Sequence, residues 1–234
     1  MKRLQIIIIA LLLAASVFGF NFVEGLFEAS QGGAKVLERT PLYVLTWQHI
    51  QLSVLPTAAA LVLSLFIGCT LHFIGNPELK GLMLSACAIG ETFPSVAIIA
   101  LSVPALGYGN LPCMLALFIY AVLPIMRNTL TGLEEVSNGV RESAKGVGMS
   151  RLQVLTKVEL PLAYPIILAG LKIALIINIS AATLGASVGA GGLGVTIISG
   201  IRTYDAMKVV KGTLPVLLMA LLADNLLRAR NTDI

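Results

Sequence analysis

A chain of 234 residues that is 57% hydrophobic and only 12% charged, with a mean hydropathy of +0.91, carries more apolar surface than one water-soluble core of this size can bury. The composition excludes a soluble enzyme domain and points to an integral membrane protein. The formal net charge of +4 is read as basic residues held at a cytoplasmic membrane face, and not as a nucleic-acid footprint.

Six stretches are apolar for long enough to cross a bilayer, at about 4–20, 50–74, 81–106, 111–130, 161–188 and 207–227. The predicted class is an all-α polytopic membrane protein of about six transmembrane helices. The first stretch follows Lys2 and Arg3 and is read as an uncleaved span. A cleaved secretory signal is the alternative, although "SVFGFNF" offers no small-x-small cleavage site. Residues 21–49 form a loop in which Tyr43 and Trp47 suit a membrane interface. Residues 1–45 are accordingly grouped as an N-terminal anchor with its loop, and 46–234 as the main transmembrane domain.

The third span carries Glu91, Thr92, Pro94 and Ser95. Glu91, Ser95 and Ser102 share a face if the helix is regular, and Pro94 and Pro104 are expected to kink it. An acid inside a span is a functional candidate. Glu91 either faces a cationic substrate or pairs with a lysine of a neighbouring span. In the fifth span, Lys172, Ser180, Thr183 and Ser187 fall within a stripe of about 80° at 100° per residue. Asn178 lies off that stripe but is grouped with it. Such side chains line a solute path or bond back to their own helix, and Lys172 either ends the stripe or snorkels inward. Asp224 is read as interfacial.

Cys69, Cys87 and Cys113 lie in apolar runs without a C-x-x-C pair and are read as small hydrophobes. His49 and His72 have no companion at metal-ligand spacing, so no metal is expected. With the N-terminus inside and six crossings, ten of the 16 Lys and Arg face the cytoplasm and five face outward, with Lys172 inside a span. This bias predicts cytoplasmic N- and C-termini.

The same orientation puts the polar segment 134–160 in the cytoplasm. It is rich in helix formers, and Gly146 and Gly148 interrupt it, so two short helices with a bend are expected. An amphipathic helix lying on the membrane is one reading. The spacing supports another. Glu142-Ser143-Ala144, three residues, Gly148, nine residues and Val158-Glu159-Leu160-Pro161 resemble the "EAA" loop of ATP-binding-cassette importer permeases. Ser143 and Val158 are mild departures from that pattern. "ETFPSVAIIALSVPALGYG" (91–109), "ALFIYAVLPIMRNTLTGL" (116–133) and "ATLGASVGAGGLG" (182–194) resemble permeases for glycine betaine, choline, carnitine and related osmoprotectants, with Glu91 standing where that family usually has glutamine.

The resemblance implies the type I importer permease (MetI-like) fold and alternating access. It implies that Glu142, Ser143, Ala144, Gly146, Gly148, Leu160 and Pro161 couple to a separate ATPase subunit. It further implies a second permease subunit, an extracytoplasmic solute-binding protein, and ATP and magnesium bound by the partner and not by this chain, within the bacterial cytoplasmic (inner) membrane. The candidate pathway residues are Glu91, Thr92, Pro94, Ser95, Asn178, Ser180, Thr183 and Ser187. "GAGGLG" (189–194) matches G-x-G-x-x-G but follows a span and not a strand, so Gly189, Gly191, Gly192 and Gly194 are read as a flexible hinge or gate. No Walker A pattern occurs, and no catalytic residue is assigned. An ion-coupled secondary transporter using Glu91 and Asp224, or a solute-gated channel, are the alternatives.

Overall fold

A backbone in lipid must satisfy its own N–H and C=O groups, and a helix does so within one segment. The computed structural model describes residues 2–30, 40–90 and 92–227. In chain order these form α1 (Lys2–Ser30), α2 (Leu42–Ile74), α3 (Pro77–Gly90), α4 (Ser95–Leu106), α5 (Asn110–Glu134), α6 (Asn138–Gly146) and α7 (Arg151–Val154). A π-helical turn (Leu155–Glu159), α8 (Leu160–Ala181), a 3₁₀ segment (Ala182–Val188), α9 (Gly194–Arg202) and α10 (Ala206–Leu226) follow.

α1, α2, α5, the continuous run Arg151–Val188 and α10 are each long and apolar enough to cross a membrane. α3 and α4 are individually too short and meet at 93°. The expected single span 81–106 is therefore broken, because Pro94 cannot continue a helix from the residues before it and starts α4 as its N-cap. Packing shows that the pair still crosses. Along α2, Thr57 lies near Leu117, Ser64 near Val122 and Gly68 near Thr129. α2 and α5 thus run parallel, so α3 and α4 together return the chain to the side from which α2 began.

α2, α5 and α8 form the centre. His49, Ser53, Thr57, Ala60, Ser64 and Gly68 lie three or four residues apart on one buried face of α2. Small residues let helix backbones approach closely, which is how helices pack where lipid removes the hydrophobic drive. Ser53 and Thr57 donate back to carbonyls four residues earlier, which satisfies their hydroxyl protons within the helix. α5 and α8 run antiparallel. A Cβ on Gly170 would stand 2.6 Å from Asn128 Cβ, and one on Gly132 would stand 3.1 Å from Ile166 Cβ. Leu13 and Phe20 of α1 pack on the cluster that joins Leu42, Leu45, Val216 and Met219.

α2 begins at Leu42, eight residues before the expected start and ahead of the proposed domain boundary at 45. Pro41 opens it, and Gln48 and His49 are carried inward within the helix because they find partners there. Tyr43 and Trp47 consequently lie on its first turns, half exposed, and not in a loop. Thirty-three residues span roughly 50 Å at 1.5 Å each, more than the ~30 Å hydrocarbon core. The excess is taken up by tilt or by an end clear of the lipid, and His72 and Phe73 are at the end that meets α6 and α7.

Candidate functional site

The segment between α5 and α8 forms the expected bent pair. Ser137 caps α6, its hydroxyl accepting from Val140 N, and Ser150 and Gln153 make a reciprocal capping box at α7. Between them Gly148 has φ +85 with open space around it. Backbone conformation, and not crowding, is what requires glycine there. Gly146, at the end of α6, also meets nothing within 4 Å and has no positive φ, so neither local constraint accounts for it.

Glu142 lies in the middle of α6, and α6 begins at Asn138. It does not occupy the helix start, where a carboxylate would complement the dipole; Ser137 has that place. Glu142 and Ser143 are exposed, while Ala144 is buried against the body. Leu160 packs beside Leu133, Leu155, Ala163 and Ile167. Pro161 opens α8 and lacks an N–H to continue the α-helical pattern from below, and the π turn directly precedes it.

That turn ends on Glu159, a carboxylate only 6% exposed. Arg141 Nε donates to its Oε1 at 2.6 Å, and His72 Nε2 lies 3.2 Å from the same oxygen. Arg141 also donates to Leu133 O and to Asn138 Oδ1. One arginine of α6 thus joins the end of α5, the π turn and, through Glu159, the end of α2. Glu159 and His72 had no role in the sequence reading. Their signal was an acid at the one free position of the Val158-x-Leu160-Pro161 pattern and a histidine at the end of an apolar run.

In the body of the protein, Asn178 does not line a path. It is fully buried, its amide donating to Thr57 Oγ1 at 2.8 Å and Leu117 O at 3.0 Å, and it ties α2, α5 and α8 at one point. The stripe expected on span five ends where the helix tightens at Ala182. Beyond that residue the 100° spacing no longer holds. Ser180 and Ser187 are exposed and Thr183 is half-buried; Thr183 and Ser187 bond to carbonyls three residues back. Lys172, partly exposed, does not snorkel freely but meets Asp224 of α10 at 2.9 Å. Asp224 is thereby an inter-helix partner and not simply interfacial.

Glu91 lies outside the described residues. Exposed Thr92 bonds back to Ile89 O, and Ser95 is half-buried in the first turn of α4. Ser95 and Ser102 both lie on α4, seven residues apart.

Of the glycines read as a flexible hinge or gate, Gly191, Gly192 and Gly194 are closely packed, while Gly189 is exposed with little near it. A Cβ on Gly194 would run into the Thr183 carbonyl, and one on Gly191 into the Gln48 amide. Gly189 and Gly192 take φ +80 and +87. Gly192 N donates to Gln48 Oε1 at 3.1 Å, and Gly109 N to Val188 O at 2.8 Å. His49, fully buried beneath this loop, bonds Ile179 O at 2.8 Å. Gln48 and His49 could have been suspected from two adjacent polar residues opening the seam of α2.

Residues 60–232 match the family model described as "Binding-protein-dependent transport system inner membrane component". The chain is 36% identical over 183 residues to the carnitine transport permease protein OpuCB of Listeria monocytogenes, covering 78% of this chain and 83% of that one. It is 37% identical over 182 residues to the glycine betaine/carnitine/choline transport system permease protein OpuCB of Bacillus subtilis (strain 168), with the same coverage. It is 34% identical over 224 residues to the osmoprotectant import permease protein OsmY of Salmonella typhimurium, covering 94% and 89%. Among solved structures it resembles a chain of the MetNI methionine ABC transporter in an inward-facing conformation, with a TM-score of 0.71 and 23% identity over 80% of this chain and 97% of that one. That likeness is one of fold.

Proposed function

This chain belongs to the family of binding-protein-dependent transport system inner membrane components, and from that premise we propose that it passes a quaternary-ammonium osmoprotectant of the betaine type inward across the bacterial cytoplasmic membrane. It is a multi-pass permease subunit of an ATP-binding-cassette importer with the type I fold. The names of its relatives, which cite carnitine, glycine betaine, choline and osmoprotectants, support the substrate class.

The observation that carries the mechanism is the Arg141–Glu159–His72 cluster beneath the bent pair α6–α7. In the proposed mechanism a separate ATPase subunit, holding ATP and magnesium, grips α6 and α7 from the cytoplasm. Its closure pushes the pair. The push reaches α2 through Glu159 and His72, and α8 through the π turn. Asn178 and its partners hold α2, α5 and α8 together, so the three move as a body. Two such permease bodies rocking against each other open the path alternately to the extracytoplasmic binding protein and to the cytoplasm. Ser180 and Ser187, exposed on one end of that body, are the proposed solute-facing residues, with N- and C-termini in the cytoplasm. The chain performs no covalent chemistry itself.

Reconstitution in proteoliposomes tests this reading. Uptake of labelled glycine betaine, choline or carnitine should require the binding protein, the ATPase subunit and internal-side ATP together. Uptake driven by an ion gradient without the ATPase would establish a secondary transporter, and passive flux a channel.

A further inference from the structure

At the end of α2 that meets α6 and α7, a cavity of about 240 Å³ is lined by Lys80, Arg141, Lys145, Arg151 and His72, with Glu159 as its acid. Glu159 is already shared by Arg141 and His72. Lys80 reaches outward to Glu134 at 3.2 Å, a carboxylate about half exposed. Lys145 and Arg151 have no carboxylate partner among the described residues. Arg151 instead lies over the Phe73 ring, 4.7 Å from its centroid. With Arg141 on Glu159 and Lys80 on Glu134, Lys145 and Arg151 leave a surplus of two positive charges at this end of α2. Such a surplus favours an anion at the mouth of the cavity.

The cavity is open along an apolar side. A groove of about 440 Å³ adjoins it and shares Phe73 and Leu155, and its other walls include Leu65, Phe66, Cys69 and Leu152. Phe66 is 71% exposed and Leu152 60%, so apolar side chains stand unpartnered along it. Leu65 lies eight residues before Phe73 on α2, about 12 Å further along the helix, toward the middle of the bilayer. The basic chamber and the greasy trough are therefore arranged end to end, in the direction of the membrane normal. We propose that this composite site binds one anionic phospholipid, its phosphodiester among Lys145, Arg151 and Lys80 and an acyl chain along the groove.

The pairing of cations with an apolar trough argues for this occupant. Free phosphate has no use for the trough, and an acidic loop of the ATPase has none either. A second permease chain packed on the groove would leave the cations unmet. Basic pockets between helices at a cytoplasmic surface suit such headgroups. A bound lipid would hold α6 and α7 against α2, so its loss would loosen the coupling pair. The proposal stands on the cavity and groove and does not depend on which solute is carried.

Native mass spectrometry of the permease–ATPase complex released from phosphatidylcholine–phosphatidylglycerol nanodiscs tests it. The unmodified complex should retain phosphatidylglycerol in preference to phosphatidylcholine. The Lys145→Gln/Arg151→Gln pair should lower that preference by about 30-fold, at about fivefold for each cation near the surface. Leu152→Ser, which leaves every charge in place, should also reduce retention. Equal retention of the two lipids by the unmodified complex overturns the proposal. So does displacement by inorganic phosphate with no effect of Leu152→Ser, which would mark a free-phosphate site. Preference shown by the permease measured without the ATPase but lost in the complex would give the cavity to the partner and likewise overturn it. A phosphatidylglycerol with a photoreactive acyl chain gives an independent reading on the unmodified protein. It should label residues of 65–73 and 152–155, and labelling confined elsewhere refutes the site.

Discussion

Glu159 meets Arg141 and His72 on one oxygen and has almost no contact with water. Removing one member of a buried charged cluster leaves the others uncompensated, and fully buried cases lose about 3–5 kcal/mol. Arg141 is about a fifth exposed, so a smaller loss, about 1–3 kcal/mol, is expected for Glu159→Ala. The variant should insert normally but hydrolyse ATP with less solute moved per ATP. Glu159→Gln, which keeps an acceptor for Arg141, should recover part of the ratio. An unchanged ratio of uptake to hydrolysis in Glu159→Ala would remove this cluster from the mechanism. Asn178→Leu tests a different residue-scale role. It strands Thr57 and the Leu117 carbonyl, and hydrogen bonds between helices in lipid contribute about 0.6–2 kcal/mol. Thermal unfolding in detergent should shift downward, with solute specificity unaltered. Altered specificity would return Asn178 to the pathway.

At the scale of elements, the bent pair α6–α7 and the glycine-rich loop behave oppositely to simple expectation. The bend needs Gly148 for its positive φ alone, since nothing crowds it. Gly148→Val should strain that conformation by about 1–2 kcal/mol and reorient α6 relative to α7. ATPase recovered in a pull-down should fall while membrane insertion holds. Glu142→Ala should retain more ATPase than Gly148→Val yet lower transport, because the exposed mid-helix carboxylate has only an outside partner to meet. If both variants bind ATPase and transport at the unmodified rate, the pair is an interfacial helix and no coupling device. The glycine-rich loop is instead crowded. Gly194→Ala would press a methyl group onto the Thr183 carbonyl, an overpacking worth about 1–3 kcal/mol or more, and should lower the thermal midpoint. A loose hinge would tolerate that methyl group without a shift.

For the whole molecule, the parallel arrangement of α2 and α5 determines the topology. It requires the broken pair α3–α4 to cross once, which gives up to six spans among the described residues and fits the proposed cytoplasmic side for α6–α7. A cysteine at Val140, exposed on α6, should react with a membrane-impermeant thiol reagent only after cells are opened. One at Tyr108, 81% exposed between α4 and α5, should react in intact spheroplasts. Cys87 and Cys113 are buried and Cys69 is partly buried within α2, so background labelling should be low. Reaction at 140 in intact spheroplasts would reverse the proposed orientation.

The sequence by itself determined the membrane class, the approximate spans and the bent polar pair. Long apolar runs, charge asymmetry and glycine spacing are local properties, and a backbone in lipid answers them locally. It also located Gly148, since a positive φ at a bend is written in one residue. Only the tertiary structure decided what each polar residue inside a span does. Asn178 and Ser180 stand two residues apart and were grouped as pathway candidates, yet one is fully buried among three helices and the other is exposed. Lys172 and Asp224, 52 positions apart, became partners, as did Glu159 and His72, 87 positions apart. A helical periodicity states which residues share a face but not what lies opposite that face. The tightening at Ala182 then ended the shared face of span five on which the pathway reading relied.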